Sequence, residues 1–132
     1  MVLCSIMPDD IVFAWIEPAE EDYLLIRSCL RYKRPLVSSA CFHAQQCTEK
    51  YLKAYLSQYK SDFPRTHDLL ALKDLCLKAS PFLLLDVGAL ERLNAYAVTA
   101  RYPGETPTIE EAKQAYKDTQ SIRRYLRKWL NL

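Results

Sequence analysis

The chain has 132 residues, of which 50% are apolar, 11% aromatic and 26% charged, with a formal net charge of +2. That length fits one domain, residues 1–132, and the apolar share is enough to bury a core, which excludes wholesale disorder. Only two glycines occur, Gly88 and Gly104, so no glycine-rich phosphate loop can be built, and a many-turned β sandwich or barrel is not expected.

In chain order, Asp9 or Asp10 caps a first helix whose apolar residues Ile11, Trp15, Ala19, Tyr23, Ile26 and Leu30 recur at steps of three and four. Pro18 removes one backbone bond, so a kink or a fresh start is expected there. Pro35 suits the first position of a second helix running to about Gln58. Val37, Ala40, Ala44, Cys47, Tyr51 and Ala54 form its apolar stripe. Ser39, His43, Gln46, Lys50 and Lys53 form a polar stripe opposite, read as a solvated face or a docking face. A third helix spans about His67 or Asp68 to Lys78 on Leu69, Leu72, Leu75 and Cys76, and Ser80-Pro81 stops it. A fourth is expected over about Phe82 to Arg101, with Leu83, Val87, Leu90, Ala97 and Val98 inward. The prolines and glycine between Arg101 and Pro107 force a loop. Thr108 and Glu111 then form a capping-box pattern opening a fifth helix on Ile109, Ala112, Tyr116, Thr119, Leu126 and Leu130. Lys113, Lys117, Arg124 and Arg127 make a basic stripe along it. Short links between long helices predict an all-α, antiparallel up-and-down bundle of four to five helices.

Charge is distributed unevenly. Residues 1–22 carry six acids and no base, residues 23–107 twelve bases and seven acids, and residues 108–132 six bases and three acids. Acidic head and basic tail either face each other across the bundle or leave the tail as a basic stripe for a polyanion. The five cysteines (Cys4, Cys29, Cys41, Cys47 and Cys76) include no C-x-x-C pair. Met1–Met7 lacks the basic region of a secretory signal, and no stretch approaches the ~18 apolar residues of a membrane span. The expectation is a cytoplasmic protein with reduced, core-filling thiols and no membrane contact.

The inventory for chemistry is small. His43 and Cys47 lie one turn apart, but a metal site needs at least three protein ligands and no second pair exists, so neither metal nor cofactor is expected. His67-Asp68 reads as a helix cap, or as a loop histidine near a bound phosphate. Arg101 either satisfies the last carbonyls of the fourth helix or clamps a phosphate while Tyr102 stacks on a base.

The run Ala40-Cys41-Phe42-His43-Ala44-Gln45-Gln46-Cys47-Thr48-Glu49-Lys50-Tyr51-Leu52-Lys53-Ala54-Tyr55-Leu56 resembles the signature second helix of HEPN domains, the nucleotide-binding domains of higher eukaryotes and prokaryotes. Thr66-His67-Asp68-Leu69-Leu70-x-Leu72 and Leu93-Asn94-x-Tyr96…Arg101-Tyr102-Pro103 follow in that family's order, so the resemblance covers most of the chain from about Tyr23. It implies a helical bundle that commonly forms homodimers, often beside a minimal nucleotidyltransferase in toxin–antitoxin or defence pairs. Ribonuclease members carry an Arg followed after four to six residues by a His. Here Arg101 is followed by Thr106, Pro107 and Thr108. No general base for 2′-hydroxyl attack stands there. The resemblance therefore implies a non-nuclease module with no catalytic residue, binding a nucleotide or RNA phosphate through Arg101, Tyr102, His43, Lys50 and His67. The alternatives are a metal-independent ribonuclease using a residue such as His67, and a purely structural scaffold.

Overall fold

The computed structural model describes residues 8–98 and 102–132, with side chains from Asp10 onward. Five helices follow one another: α1 Pro8–Arg31, α2 Val37–Gln58, α3 Leu69–Ala79, α4 Val87–Asn94 and α5 Ile109–Trp129. The described residues contain no strand, and the all-α bundle is the observed architecture.

Helix α2 is the spine. Ala40, Ala44, Cys47, Tyr51, Leu52, Ala54, Tyr55 and Leu56 on it are all 0% exposed. Helix α1 packs against it most extensively, α5 also lies against it, and α3 and α4 pack on α2 and on each other, with α4 also touching α5. The core adds Ile26 from α1, Leu69 and Leu72 from α3, Leu90 and Leu93 from α4, and Leu126 from α5. Truncating any of these leucines to alanine loses packing that cores rarely recover, typically ~2–5 kcal/mol. Every described buried side-chain nitrogen or oxygen has a hydrogen-bond partner.

The caps carry much of the local logic. Asp68 caps α3 by accepting from the amides of Leu70 and Ala71. Thr108 and Glu111 form the reciprocal capping box of α5. Helix α2 starts at Val37, two residues beyond Pro35, with Leu36 as an N-cap that makes no side-chain bond. Helix α1 runs unbroken through Pro18, so no fresh start occurs. The carbonyl deprived of its donor belongs to Ala14, which is exposed and open to water.

The fourth helix differs most from expectation. Phe82 lies in a turn and residues 83–86 form no regular element, and α4 begins only where Asp86 accepts from the Ala89 amide. It ends at Asn94, seven residues short of Arg101, which lies outside the described residues with Thr99 and Ala100. Asn94 instead reaches across to α3, its side chain accepting from the Leu69 amide at 2.9 Å and donating to Asp68 at 3.1 Å. Ile11, Val87 and Val98, read as inward, are 39%, 41% and 58% exposed. Asp9 and Asp10, the candidate caps, lie within α1, which is already helical at Pro8; the side chain of Asp9 lies outside the described set, as does Cys4. The other four cysteines are buried and form no disulfide among the described residues, and burial raises the Cys76 thiol to about 12. No described helix is long and apolar enough to cross a membrane.

Candidate functional site

Helix α2 carries polar side chains on the side that meets α1, and they are spent on ion pairs rather than solvated. His43 Nδ1 lies 2.8 Å from Asp22 of α1, and Lys50 Nζ reaches the other oxygen of the same carboxylate. Further along, Lys53 is 7% exposed and pairs with Glu49, itself 4% exposed, at 3.1 Å. The expected solvated stripe is thus largely the seam between two helices. The correction has a physical reason: α1 supplies a buried carboxylate, Asp22, and an aromatic ring, Trp15, at the right heights to receive cations. Lys53 Nζ sits 5.3 Å from the centre of the Trp15 ring.

Glu49 also fixes the loop after α2. His67 Nδ1 lies 2.8 Å from Glu49 Oε1, and the His67 carbonyl accepts from Gln45 Nε2 at 2.9 Å. A carboxylate only accepts, so the proton sits on Nδ1. That leaves Nε2 of a neutral imidazole as a bare acceptor, on a side chain 70% exposed.

These groups open onto a cavity of about 620 Å³ lined by Trp15, Lys53, Phe63, Arg65 and His67. Ligand cavities commonly fall at roughly 300–1,000 Å³. Phe63, Arg65 and His67 come from the loop between α2 and α3, which bends at Arg65, and all three line the cavity. The Trp15 and Phe63 rings are tilted at 57° with centroids 6.1 Å apart. Arg65 is exposed and makes no ion pair among the described residues. One unpaired cation, Arg65, thus converges with a histidine, two aromatic rings and a lysine already paired with Glu49. Such a set suits an anion attached to a flat ring system.

A second cleft, of about 260 Å³, lies between α4 and α5 and is lined by Arg92, Tyr96, Glu111, Gln114 and Asp118 among others. Arg92 grips Asp118 through Nε and Nη2, both at 2.9 Å, and Gln114 donates to the same carboxylate. Tyr96 donates to Glu111 at 3.4 Å, and burial pushes its phenol up to about 12. Hydrogen bonds from Thr108 hold the Glu111 carboxyl below its ordinary value. With one arginine facing two carboxylates, this cleft does not suit a phosphate.

A third cluster ties the acidic head to the basic tail. Arg123 forks onto Glu20, which also accepts from Tyr51 at 2.7 Å and Arg127 at 3.3 Å. The Arg123 bonds keep the Glu20 carboxyl below its usual value, and burial followed by the Glu20 bond raises the Tyr51 phenol. Here the head meets the tail across the bundle. Arg127 leaves the basic stripe of α5 for that contact, while Lys113, Lys117 and Arg124 remain exposed.

Of the residues singled out from sequence, His67 lines the cavity. His43 and Lys50 meet at Asp22, outside its lining. Tyr102 is 77% exposed in the α4–α5 connection and is not part of the cavity. Trp15, Phe63 and Arg65 were not identified as site residues, and Lys53 was placed on a surface stripe. The spacing Phe63-x-Arg65-x-His67 marks Phe63 and Arg65 but neither Trp15 nor Lys53. Among the described residues no group of three or more His, Cys, Asp or Glu side chains is placed to hold a metal ion.

A five-helix bundle with a polar second helix and this cavity defines a class of small helical domain. The family model of the HEPN domain matches residues 12–129. The chain belongs to the HEPN family, and at the level of that family it is a nucleotide- or RNA-related module. No curated protein and no solved structure gives a significant match.

Proposed function

We propose that this HEPN domain binds a nucleotide, or a phosphate-bearing stretch of RNA, without cleaving it, and that the cavity beside Trp15 is where it does so. The observation carrying this reading is the convergence of Lys53, Arg65 and His67 with two aromatic rings on one 620 Å³ cavity. Arg65 supplies the phosphate donors, and the Phe63 ring is the platform left for a base, since Lys53 already covers Trp15. Arg101 and Tyr102 stand as a separate candidate clamp on the α4–α5 connection. The module acts as a homodimer and partners a minimal nucleotidyltransferase.

Calorimetric titration with ATP and GTP tests the binding. Saturable heat that falls at least about tenfold in affinity in Arg65→Ala, and stays in Arg101→Ala, supports the cavity. The reverse pattern moves the site to the connection. Absence of heat with either nucleotide or with an RNA strand sinks the binding reading and leaves the scaffold. Light scattering on the purified chain tests the homodimer, and co-purification with a co-expressed nucleotidyltransferase tests the partner.

One observation favours a second reading as a ribonuclease. Glu49 orients His67 at 2.8 Å and leaves Nε2 free to take a proton. RNA cleavage by the purified chain, abolished in His67→Ala, would establish it; intact RNA removes it.

A further inference from the structure

The basic residues of the sequence are not exhausted by the cavity. Residues 23–48 contain Arg27, Arg31, Lys33 and Arg34 and no carboxylate. All four are exposed, and none takes part in an ion pair among the described residues. The structure brings a second set of cations beside them. Glu20 meets Arg123 and Arg127, and Tyr23 meets Tyr116 with ring centroids 5.7 Å apart, so α1 and α5 run antiparallel. One turn beyond Tyr23 on α1 stands Arg27, and one turn before Tyr116 on α5 stands Lys113. These are the same end of the pair, because stepping forward on one antiparallel helix is stepping back on the other. Arg31 extends the row by another turn, and Lys117 flanks it on the exposed side of α5. On α5 the exposed Glu110 stands one turn before Lys113, whereas Asp118, next to Lys117, is buried and held by Arg92.

Unpaired like charges at this density repel one another, and a helical surface ordinarily intersperses signs to avoid that. The repulsion is relieved when a polyanion lies across them. An aromatic face refines the choice of polyanion. Tyr32 is 59% exposed and borders a shallow hollow of about 260 Å³ with Ser28 and Arg31. A ring beside backbone-gripping cations receives an unstacked base, which a duplex keeps paired and an acidic protein lacks.

We infer that the α1–α5 end of the bundle is a second binding surface, on which Arg27, Arg31, Lys113 and Lys117 hold the phosphates of a single-stranded nucleic acid and Tyr32 stacks on one of its bases. This surface is independent of the cavity: Arg27 lies twelve residues from Trp15 along α1, about 18 Å at the rise of an α-helix.

Fluorescence anisotropy with a labelled oligo(U) strand of about 12 nucleotides, across about 50–200 mM salt, tests it. Four phosphate contacts give a slope of log affinity against log salt near −3. The charge reversal Arg27→Glu/Arg31→Glu/Lys113→Glu/Lys117→Glu is expected to lose more than about tenfold in affinity, with an unchanged circular dichroism spectrum since all four side chains are exposed. The milder Lys113→Gln/Lys117→Gln pair should flatten the slope by about 1.4. Tyr32→Ala should weaken the strand at least about fivefold and leave a duplex of equal length unaffected. Three outcomes overturn the proposal: no change of slope in the Gln pair, poly-glutamate binding as tightly as the strand, or strand binding lost in Arg65→Ala. The last would assign the strand to the cavity and leave the proposed function standing.

Discussion

Glu49 and Asp118 are both buried carboxylates held by a cation, yet the two regions they anchor behave as opposites. At Glu49 the cation is buried too: Lys53 is 7% exposed, and its ammonium is enclosed by the carboxylate and the Trp15 ring. At Asp118 the cation is Arg92, whose side chain is 50% exposed and can turn into water. The first pair is therefore a fixed part of the cavity wall, and the second is an adjustable surface clasp between α4 and α5. The difference teaches where removal of an acid hurts. A buried ion pair adds little net stability, but stripping one partner strands the other charge in a poor solvent.

Glu49→Gln is accordingly the largest expected effect, a loss of about 3 kcal/mol in urea unfolding, because the Lys53 ammonium loses its counter-charge. The double variant Glu49→Gln/Lys53→Met should recover most of that loss, since no buried charge remains. If the single variant costs less than about 1 kcal/mol, the Lys53 site is wetter than its burial indicates and the contrast collapses.

The same contrast extends to ligands. Arg65→Ala should cost about tenfold in ATP affinity, some 1.4 kcal/mol, whereas Arg92→Ala should leave ATP binding unchanged by calorimetry. Arg65 has no carboxylate on it, while Arg92 is already neutralised by Asp118. Equal losses in the two variants would place the nucleotide elsewhere. Next in size, Asp118→Asn should cost about 1 kcal/mol in the same urea assay, because Arg92 escapes to solvent and the amide still accepts from Gln114.

What was legible in the sequence follows the same division between local and distant causes. Apolar spacing placed α2 to within two residues, and Asp68 and the Thr108–Glu111 pair marked their helix starts, because a cap bonds to its own chain. Residues 82–86 read as helix because Phe82, Leu83, Leu84 and Leu85 are all apolar. Yet Phe82 and Leu84 are 85% and 80% exposed, and the chain stays non-helical until Asp86 caps α4. Asn94 joining the start of α3 is a contact across 25 residues that no spacing announces. At the site, His67 was legible as a loop histidine beside a cap. Its tie to Glu49 was not, since the i,i+4 pair Glu49–Lys53 looks like ordinary surface charge until α1 covers it with Trp15. The family model, matching residues 12–129, agrees with the resemblance carried by the second-helix motif.

The smallest effect concerns acid stability and tests whether the α1–α5 contact belongs with the fixed or the adjustable class. The Glu20 carboxyl is held below its ordinary 4.5 chiefly by hydrogen bonds from Arg123, so its folded form binds a proton less readily than its unfolded form. Such a group stabilises the fold fully above the unfolded value and loses that contribution as pH falls from about 4.5 through the lowered folded value. Its side chain is 31% exposed, which screens the interaction and keeps the effect modest. Melting temperature should therefore drop more steeply between about pH 5 and pH 3 in the native chain than in Glu20→Gln, which has no proton to gain. Above that window the two curves should run parallel, with the variant lower. Curves that stay parallel throughout would mean that Arg123 gains nothing from the charge on Glu20, and that the junction of acidic head and basic tail is as adjustable as the Arg92 clasp.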